Sequence, residues 1–224
     1  MNRLLRLPPQ SEDELLSRCH SLQGLTFSQL ALSINMPISD HPSERKGWVG
    51  QAMELVLGAN AGSLSAPDFI DLGIELKTLP INHLGKPAES TFVTSIPLLT
   101  VHKQVWQTSQ CFTKLRRVLW VYVEDDSRIP FLHRRIGQGF IWSPSTADAA
   151  VLANDWSELT FMIGTGKLAE IDARMGEYLQ VRPKAANAKS LCYGFDECGN
   201  KILTLPRGFY LRQAFTAQLG FLKG

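Results

Sequence analysis

Two carboxylates and a lysine lie close together in one short segment of the chain. Apolar and polar residues alternate over residues 74–78, which is the period of a half-buried strand, so Glu75 and Lys77 are predicted to share one face. Asp68 precedes them across a turn that Gly73 would permit, so a hairpin could bring its carboxylate to Glu75. Two carboxylates and an ammonium group on one surface could hold Mg²⁺ and a water molecule against a phosphate.

The pattern Asp-x₆-Glu-x-Lys is short, and short patterns have many accidental matches. The same spacing also fits a solvated strand face with an incidental ion pair. Support for a catalytic interpretation must therefore come from other parts of the chain.

A helix predicted over residues 46–58 has two very different faces. One face is apolar and predicted to face the core, whereas the opposite face carries Glu54 and three glycines, at positions 47, 50 and 58. Each glycine costs a helix on the order of 1 kcal/mol relative to alanine, so this face predicts the close approach of a large ligand. A surface glutamate beside tolerated glycines is the alternative. The small residues of the loop 59–66 are predicted to offer backbone amides to phosphates.

Composition indicates a folded chain of 224 residues, which fits one large domain or two lobes that share a core. With no long apolar run and no signal peptide, a cytoplasmic location is expected. The four cysteines and five histidines are scattered and predict neither a zinc site nor a disulfide framework. The net charge is only +2, but basic residues cluster locally, which favours a nucleic-acid partner: Lys114, Arg116 and Arg117; Arg134 and Arg135; Arg182, Lys184 and Lys189; Arg207 and Arg212.

Both helical and strand periodicities occur along the chain. Three further helices are predicted, over residues 11–23, 26–34 and 145–163. Predicted strands cover residues 90–96, 118–123, 177–181 and 201–205, and the strand at 118–123 is expected in the middle of a sheet because its apolar run is nearly continuous. Residues 79–89 are predicted to be rich in turns, residues 127–142 irregular, residues 182–189 a basic loop, and residues 206–210 a turn into a final helix.

Several longer blocks resemble the MutH family of DNA mismatch repair endonucleases, in the same order and over nearly the whole chain. They are Lys46-Gly47-Trp48-Val49-Gly50, Gly62-Ser63, Asp68 with Gly73-Ile74-Glu75-Leu76-Lys77-Thr78, Lys114 with Arg117-Val118-Leu119-Trp120, the segment 176–188, and Leu205-Pro206-Arg207-Gly208-Phe209-Tyr210-Leu211. Residues 191–200, with Cys192 and Cys198, and the tail after Leu219 depart from the family pattern.

The resemblance implies the α/β class and a type II restriction endonuclease-like fold, with a mixed sheet flanked by helices and two arms around a DNA cleft. It implies one endonuclease domain over residues 1–224, with the metal site in an N-terminal lobe and DNA-reading loops in a C-terminal lobe. The implied reaction is nicking of the unmethylated strand, 5′ to the G, at hemimethylated or unmethylated GATC sites in double-stranded DNA. The implied partners are MutL as activator and MutS indirectly, and the enzyme is expected to be a monomer without membrane contact.

Site residues follow from the resemblance position by position. Asp68, Glu75, Glu54 and the carbonyl of Leu76 would bind one or two Mg²⁺ ions. Lys77 would orient or help deprotonate the attacking water, and Lys114 would support the site electrostatically. Residues implied to contact DNA are Lys46, Phe92, Arg182, Pro183, Lys184, Arg207 and Tyr210.

Pro183 and Tyr210 are the residues that the resemblance assigns to sensing the adenine methyl group. N6-methylation would crowd a hydrogen bond that the adenine amino group donates in the major groove. A core ring at the start of the last helix is the alternative for Tyr210. Two other functions stay open: a dimeric restriction enzyme that cuts both strands, and a DNA-binding module without catalysis.

Overall fold

The computed structural model describes residues 6–42, 44–45, 47–172, 174–185 and 189–219. No helix within these ranges is long and apolar enough to cross a lipid bilayer. The α-helices described are Glu12–Leu22 (α1), Phe27–Ser33 (α2), Trp48–Leu57 (α3), Gln110–Leu115 (α4), Thr146–Gly164 (α5) and Gln213–Thr216 (α6). The strands are Glu75–Ile81 (β1), Thr91–Ser95 (β2), Val118–Glu124 (β3), Ile136–Trp142 (β4), Leu179–Pro183 (β5), Cys192–Phe195 (β6), Lys201–Thr204 (β7) and Arg207–Leu211 (β8).

The chain divides into two compact units. The first unit contains the residues up to Glu89 together with Arg117–Ser143, and the second contains Ser90–Arg116 together with the residues from Pro144 onward. The chain therefore passes between the units three times. Each unit has its own sheet, and the predicted assignment of metal and DNA-reading roles to two lobes stays a prediction.

The first unit is built on a three-stranded mixed sheet with the order β1–β3–β4. β1 runs parallel to β3, with Glu75 opposite Val118 and Ile81 opposite Glu124, and β4 is antiparallel to β3. Helix α1 packs against β4, and α3 packs against β1. Their apolar faces form one buried cluster with β3, and its members include Leu15, Met53, Phe69, Ile74, Leu119, Val121 and Ile136.

Strand β3 lies in the middle of this sheet, as its continuous apolar run predicts. Leu119, Trp120 and Val121 are completely buried, because both faces and both edges of the strand are covered. The prediction that turns begin at Leu79 is wrong, since β1 continues to Ile81. A proline in this stretch, Pro80, is compatible with the ladder because β1 is an edge strand.

Residues 127–142 are not irregular throughout, because β4 occupies the last seven of them and pairs with β3. Two glycines make this strand difficult to predict from the sequence. A Cβ atom at Gly137 would lie 2.9 Å from the Tyr122 Cβ, and one at Gly139 would lie 2.2 Å from the Cys19 Sγ. Close packing against neighbouring strands and helices therefore requires residues that lower strand propensity in the sequence.

The first two predicted helices are confirmed. The Ser11 hydroxyl caps α1 by accepting a hydrogen bond from the Glu14 amide at 3.1 Å, and Leu15, Cys19 and Leu22 are buried as the helical spacing predicts. Burial raises the pKa of the Cys19 thiol to about 11, so this thiol stays protonated near neutral pH. α2 carries a complete capping box at its start.

The second unit is built on a three-stranded antiparallel sheet with the order β2–β8–β5. Leu211 of β8 lies opposite Thr91 on one side and Leu179 on the other. Helix α5 packs on β5, and the predictions of α5 and of strand β2 are confirmed. A separate hairpin is formed by β6 and β7.

The prediction for the end of the chain is wrong in one respect. Residues 206–210 do not form a turn, because β8 occupies 207–211 as the central strand of the second sheet, and the predicted final helix is the four-residue α6. Gly208 explains the misleading pattern: a Cβ atom there would lie 2.8 Å from Cε2 of Phe92, so only glycine lets the ring pack on the strand. The predicted strands over 177–181 and 201–205 are present as β5 and β7, but they do not pair with each other. β5 pairs with β8, and β7 pairs with β6.

Candidate active site

A tight turn connects Asp68 to the strand that carries Glu75. Phe69 and Ile74 pair across it as an antiparallel bridge, with hydrogen bonds of 2.9 and 3.3 Å between their backbones. Gly73 closes the turn in the left-handed region at φ 65°, which glycine adopts without the strain that a Cβ atom would cause. The predicted hairpin and the role of Gly73 are confirmed.

The carboxylate of Asp68 is fixed to the beginning of β1. Its Oδ2 accepts a hydrogen bond of 2.8 Å from the backbone amide of Leu76. This bond places the carboxylate at the peptide group that joins Glu75 to Leu76. Two acidic residues that are seven positions apart in the sequence are thus brought to the same short stretch of strand.

Glu75 and Lys77 lie on the same face of β1, as the alternation predicts. The Lys77 Nζ donates to Glu75 Oε1 at 2.7 Å, and their side chains are only 14% and 3% exposed. This burial is deeper than a half-buried strand implies. An ion pair this buried is costly to desolvate and is weak evidence for a role in stability, which favours a functional role.

The backbone around this pair is anchored from the neighbouring strand. The Glu75 amide donates to the Arg117 carbonyl at 3.0 Å, immediately before β3 begins. The Arg117 guanidinium donates to both carboxylate oxygens of Glu12 and, at 3.0 Å, to the Ser143 hydroxyl. Its bond to Glu12 raises the pKa of Arg117, so the guanidinium remains a charged anchor.

The glycines around Glu54 have a different reason from the one predicted. Gly47 and Gly58 are the residues that cap α3, with φ of 84° and 86°, and only Gly50 lies inside the helix. Capping geometry accounts for glycine at both positions, and the approach of a ligand to this face stays a prediction. Glu54 is exposed on the face of α3 opposite its buried stripe, as predicted. Lys46 lies outside the described residues.

Loop residues after α3 support Asp68 instead of facing phosphates. The amides of Asn60 and Ala61 both donate to the Asp68 carbonyl, at 2.9 and 3.2 Å. The prediction that backbone amides of the loop 59–66 bind phosphates is therefore wrong for these two residues, because their hydrogen bonds are used within the protein.

The donor set at β1 suits a hard divalent cation. Asp68 and Glu75 provide carboxylate oxygens, and Leu76 provides a carbonyl oxygen, which are ligands that Mg²⁺ prefers over the nitrogen and sulfur ligands of zinc. Among the described residues, no group of three or more acidic, histidine or cysteine side chains that could hold a metal ion is found, and the predicted place of Glu54 in the site stays a prediction. Lys114 lies in the last turn of α4, in the second unit.

The second unit brings together four of the residues predicted to contact DNA. The rings of Phe92 and Tyr210, which are opposite one another in β2 and β8, meet edge to face with centroids 5.3 Å apart. The Arg182 guanidinium lies 5.9 Å from the centre of the Tyr210 ring, and the Lys184 ammonium lies 4.3 Å from that of Phe92. Two exposed cations are thus held against two aromatic rings, a combination that suits contact with nucleic acid.

Pro183 and Arg207 are opposite one another at the end of the β5–β8 ladder. The Lys184 amide donates to the Pro206 carbonyl at 2.8 Å and continues the pairing one residue further. The Arg207 guanidinium donates to the Leu205 carbonyl at 2.9 Å, and burial lowers the pKa of Arg207. The two predicted DNA-contact segments therefore belong to one paired structure, although 24 residues separate Pro183 from Arg207 in the chain.

Ser90 is a positioning residue that the sequence did not reveal. Its hydroxyl oxygen accepts hydrogen bonds from Gln180 Nε2 at 2.8 Å and from Arg182 Nη1 at 3.0 Å. Both partners are about 90 positions away in the chain. No local pattern could have indicated this contact.

Replacing Ser90 with alanine is expected to weaken binding of a GATC duplex about fivefold. The change removes the hydrogen bond that holds the charged Arg182 side chain in place. Without this bond Arg182 must be ordered when DNA binds, which costs about 1 kcal/mol. Fluorescence anisotropy in Ca²⁺ measures the affinity. Ser95→Ala, an exposed change in the strand β2 that follows Ser90, is the control, and equal affinities for the two variants would contradict the assignment.

The fold and the site together define a class of protein. A mixed sheet flanked by helices, whose first strand carries Glu75 and Lys77 with Asp68 held against it, is the arrangement of DNA endonucleases with a type II restriction endonuclease-like fold.

Comparison with known proteins makes the assignment specific. Residues 57–155 match the family model described as the DNA mismatch repair enzyme MutH. Proteins named DNA mismatch repair protein MutH are similar over nearly the whole chain. The one from Vibrio campbellii is 50% identical, covering 94% of this chain and 93% of the relative, and the one from Pasteurella multocida is 48% identical, covering 95% and 96%. The one from Escherichia coli K12 is 46% identical, covering 97% and 95%. The chain belongs to the MutH family.

Proposed function

We propose that this protein is a Mg²⁺-dependent endonuclease of DNA mismatch repair that nicks the unmethylated strand, 5′ to the G, at hemimethylated or unmethylated GATC sites. The observation that carries the catalytic part is the Asp68 carboxylate held at the Leu76 amide, beside the buried Glu75–Lys77 pair. Membership of the MutH family supports the substrate and the repair pathway.

The metal-binding residues are proposed to be Asp68, Glu75 and the carbonyl of Leu76, with Glu54 as a further ligand. A bound Mg²⁺ neutralises charge on the phosphate and lowers the pKa of a coordinated water. Asp68 and Glu75 supply the negative charge that retains the cation. Both carboxylates are held at the start of β1, so little reorganisation is needed when substrate binds.

Lys77 is proposed to orient the attacking water through its ammonium group or, as the neutral amine, to help deprotonate that water by accepting its proton. Its ammonium group is fixed at 2.7 Å from Glu75, which restricts its side chain to the face where the acids lie. Lys114 is proposed to support the anionic phosphate electrostatically. A phosphodiester repels an anionic nucleophile, so positioned cations lower the barrier to in-line attack.

DNA recognition is proposed to depend on the sheet of the second unit. Arg182 and Lys184, held against Tyr210 and Phe92, supply charge and aromatic surface, while Pro183 and Arg207 mark the end of the same ladder. Lys46 is proposed as a further DNA-contact residue because of the resemblance to the MutH family. We further propose that the enzyme acts as a monomer, with MutL as its activator and MutS acting through MutL.

A cleavage assay on unmethylated, hemimethylated and fully methylated GATC duplexes, with and without Mg²⁺, tests this proposal. We expect nicking of the unmethylated strand in the first two duplexes, no cleavage of the third, and no reaction without a divalent cation. Double-strand cleavage by a stable dimer would favour a restriction enzyme instead. GATC binding without cleavage would favour a DNA-binding module.

Replacing Tyr210 with phenylalanine is expected to reduce discrimination between hemimethylated and fully methylated duplexes about tenfold. The change removes only the hydroxyl, and a polar contact to a base edge contributes about 1–3 kcal/mol to discrimination. The ratio of nicking rates on the two duplexes measures the effect. Tyr193→Phe, in β6 of the same unit, is the matched control, and an unchanged ratio in the Tyr210 variant would remove Tyr210 from this role.

A further inference from the structure

We infer that Asn60 is a positioning residue that fixes Asp68 for binding a divalent cation. This inference rests on the proposed metal site. Asn60 contacts the segment around Asp68 at two points, and it is the third residue after the end of α3, the helix that carries Glu54.

The first contact is made by the backbone. The Asn60 amide donates to the Asp68 carbonyl at 2.9 Å, and the adjacent Ala61 amide donates to the same oxygen at 3.2 Å. Two donors on one carbonyl restrict rotation of the peptide group that follows Asp68. The backbone from which the Asp68 side chain projects is thereby held to the loop.

The second contact is made by the side chain. Asn60 Oδ1 accepts a hydrogen bond of 3.0 Å from the Ile70 amide. Asn60 therefore holds the chain at residue 68 and again at residue 70, on either side of the buried ring of Phe69. With the carboxylate of Asp68 bound to the Leu76 amide, the loop, the turn and β1 form one hydrogen-bonded structure.

Asn60 also connects two predicted metal ligands. The amides of Gly58 and Ala59 both donate to the Glu54 carbonyl, at 3.1 and 2.9 Å, and so close the end of α3. Asn60 is the next residue. The segment that leads from Glu54 to the contact with Asp68 is therefore held by the hydrogen bonds that close the end of α3 and by those of Asn60.

The effect of Asn60 should be on ligand geometry rather than on folding. Asn60 is exposed and the Ile70 residue is 39% exposed, so water can replace the side-chain hydrogen bond when it is lost. Mg²⁺ and Mn²⁺ favour octahedral oxygen sites, and residues that orient ligands commonly change metal affinity by about 10- to 100-fold. We expect about tenfold, because Asn60 orients the backbone of a ligand and not its carboxylate.

Titration of the intact protein with Mn²⁺, followed by the electron paramagnetic resonance signal of the free ion, tests the inference without a cleavage reaction. Asn60→Ala should weaken Mn²⁺ binding about tenfold. Asn60→Asp keeps the acceptor oxygen and should bind Mn²⁺ at least as tightly as the unmodified protein. Asn82→Ala is the matched control, because Asn82 Oδ1 likewise accepts from backbone amides, of Leu84 and Lys86, in a turn of the same unit.

Unchanged Mn²⁺ affinity in Asn60→Ala would overturn the inference, and so would equal weakening in Asn60→Ala and Asn60→Asp. Asp68→Ala separates this result from failure of the proposed function. If Asp68→Ala binds Mn²⁺ normally, the metal site itself is wrong; if it loses binding while Asn60→Ala does not, only the role of Asn60 is wrong. Should thermal denaturation show that Asn60→Ala is unfolded, Asn60→Ser, whose shorter side chain cannot span the same distance, replaces it with the same expected loss.

Discussion

Replacing Glu75 with glutamine is expected to lower the nicking rate on a hemimethylated GATC duplex by at least about a thousandfold, the size of effect seen when one fixed electrostatic group is removed from an active site. The change preserves the shape of the side chain but removes its charge. It weakens the proposed metal site and leaves the Lys77 ammonium, now 2.7 Å from Glu75 Oε1, without its anionic partner.

Single-turnover nicking in Mg²⁺ measures this effect, and DNA affinity in Ca²⁺ shows whether binding is retained. We expect the affinity to change little, since the DNA-contact residues proposed on the second sheet are untouched. Asp68→Ala should behave like the Glu75 variant, whereas Asp71→Asn, an exposed change in the same turn, should leave the rate unchanged. Full activity in either the Glu75 or the Asp68 variant would refute the metal assignment.

Replacing Asp155 with alanine is expected to lower the free energy of unfolding by about 3–5 kcal/mol, the cost of breaking a buried hydrogen-bond network and leaving several amides without an acceptor. Asp155 lies on α5, is only 3% exposed, and accepts backbone hydrogen bonds from Glu177, Tyr178 and Leu179 at 2.9, 2.7 and 2.8 Å. Its loss leaves three amides without their acceptor at the start of β5.

Urea unfolding followed by tryptophan fluorescence measures this loss. Glu158→Ala, an exposed change on the same helix, should alter stability by no more than about 0.5 kcal/mol. The Asp155 variant should also bind DNA more weakly, because Asp155 fixes the strand that carries Arg182. A loss of stability no larger than that of the Glu158 control would show that Asp155 does not anchor the strand.

Asp155 also shows where sequence reasoning failed. It interrupts the apolar face of a predicted helix, and a single buried acid of this kind is a signal that was available in the sequence. The sequence did not reveal its hydrogen-bond partners, because they lie 22 to 24 positions further along the chain. No helical or strand periodicity connects that segment to α5. The hydrogen-bond partners of Ser90 and of Asn60 likewise lie in other segments of the chain, and no local pattern indicates them.

The local elements near the active site could be predicted because short-range rules decide them. Residue spacing placed Glu75 and Lys77 on one face, Gly73 marked a turn that needs positive φ, and Ser11 marked the start of α1. The continuous apolar run of β3 predicted its central place. Each of these features depends on neighbours within a few residues, so the sequence records it directly.

Tertiary structure alone decided which strands pair and which polar groups meet. β4 and β8 contain glycines at positions where a Cβ atom would collide with Cys19 or Phe92. Close packing therefore requires glycine at positions where larger residues would have indicated a strand. The bond from Leu76 to Asp68 and the pairing of β8 between β2 and β5 join segments brought together only by folding. The amino-acid sequence therefore determined the chemical groups and the local faces that carry them, whereas the three-dimensional packing determined their partners, because hydrogen bonds between distant segments impose no period on the sequence.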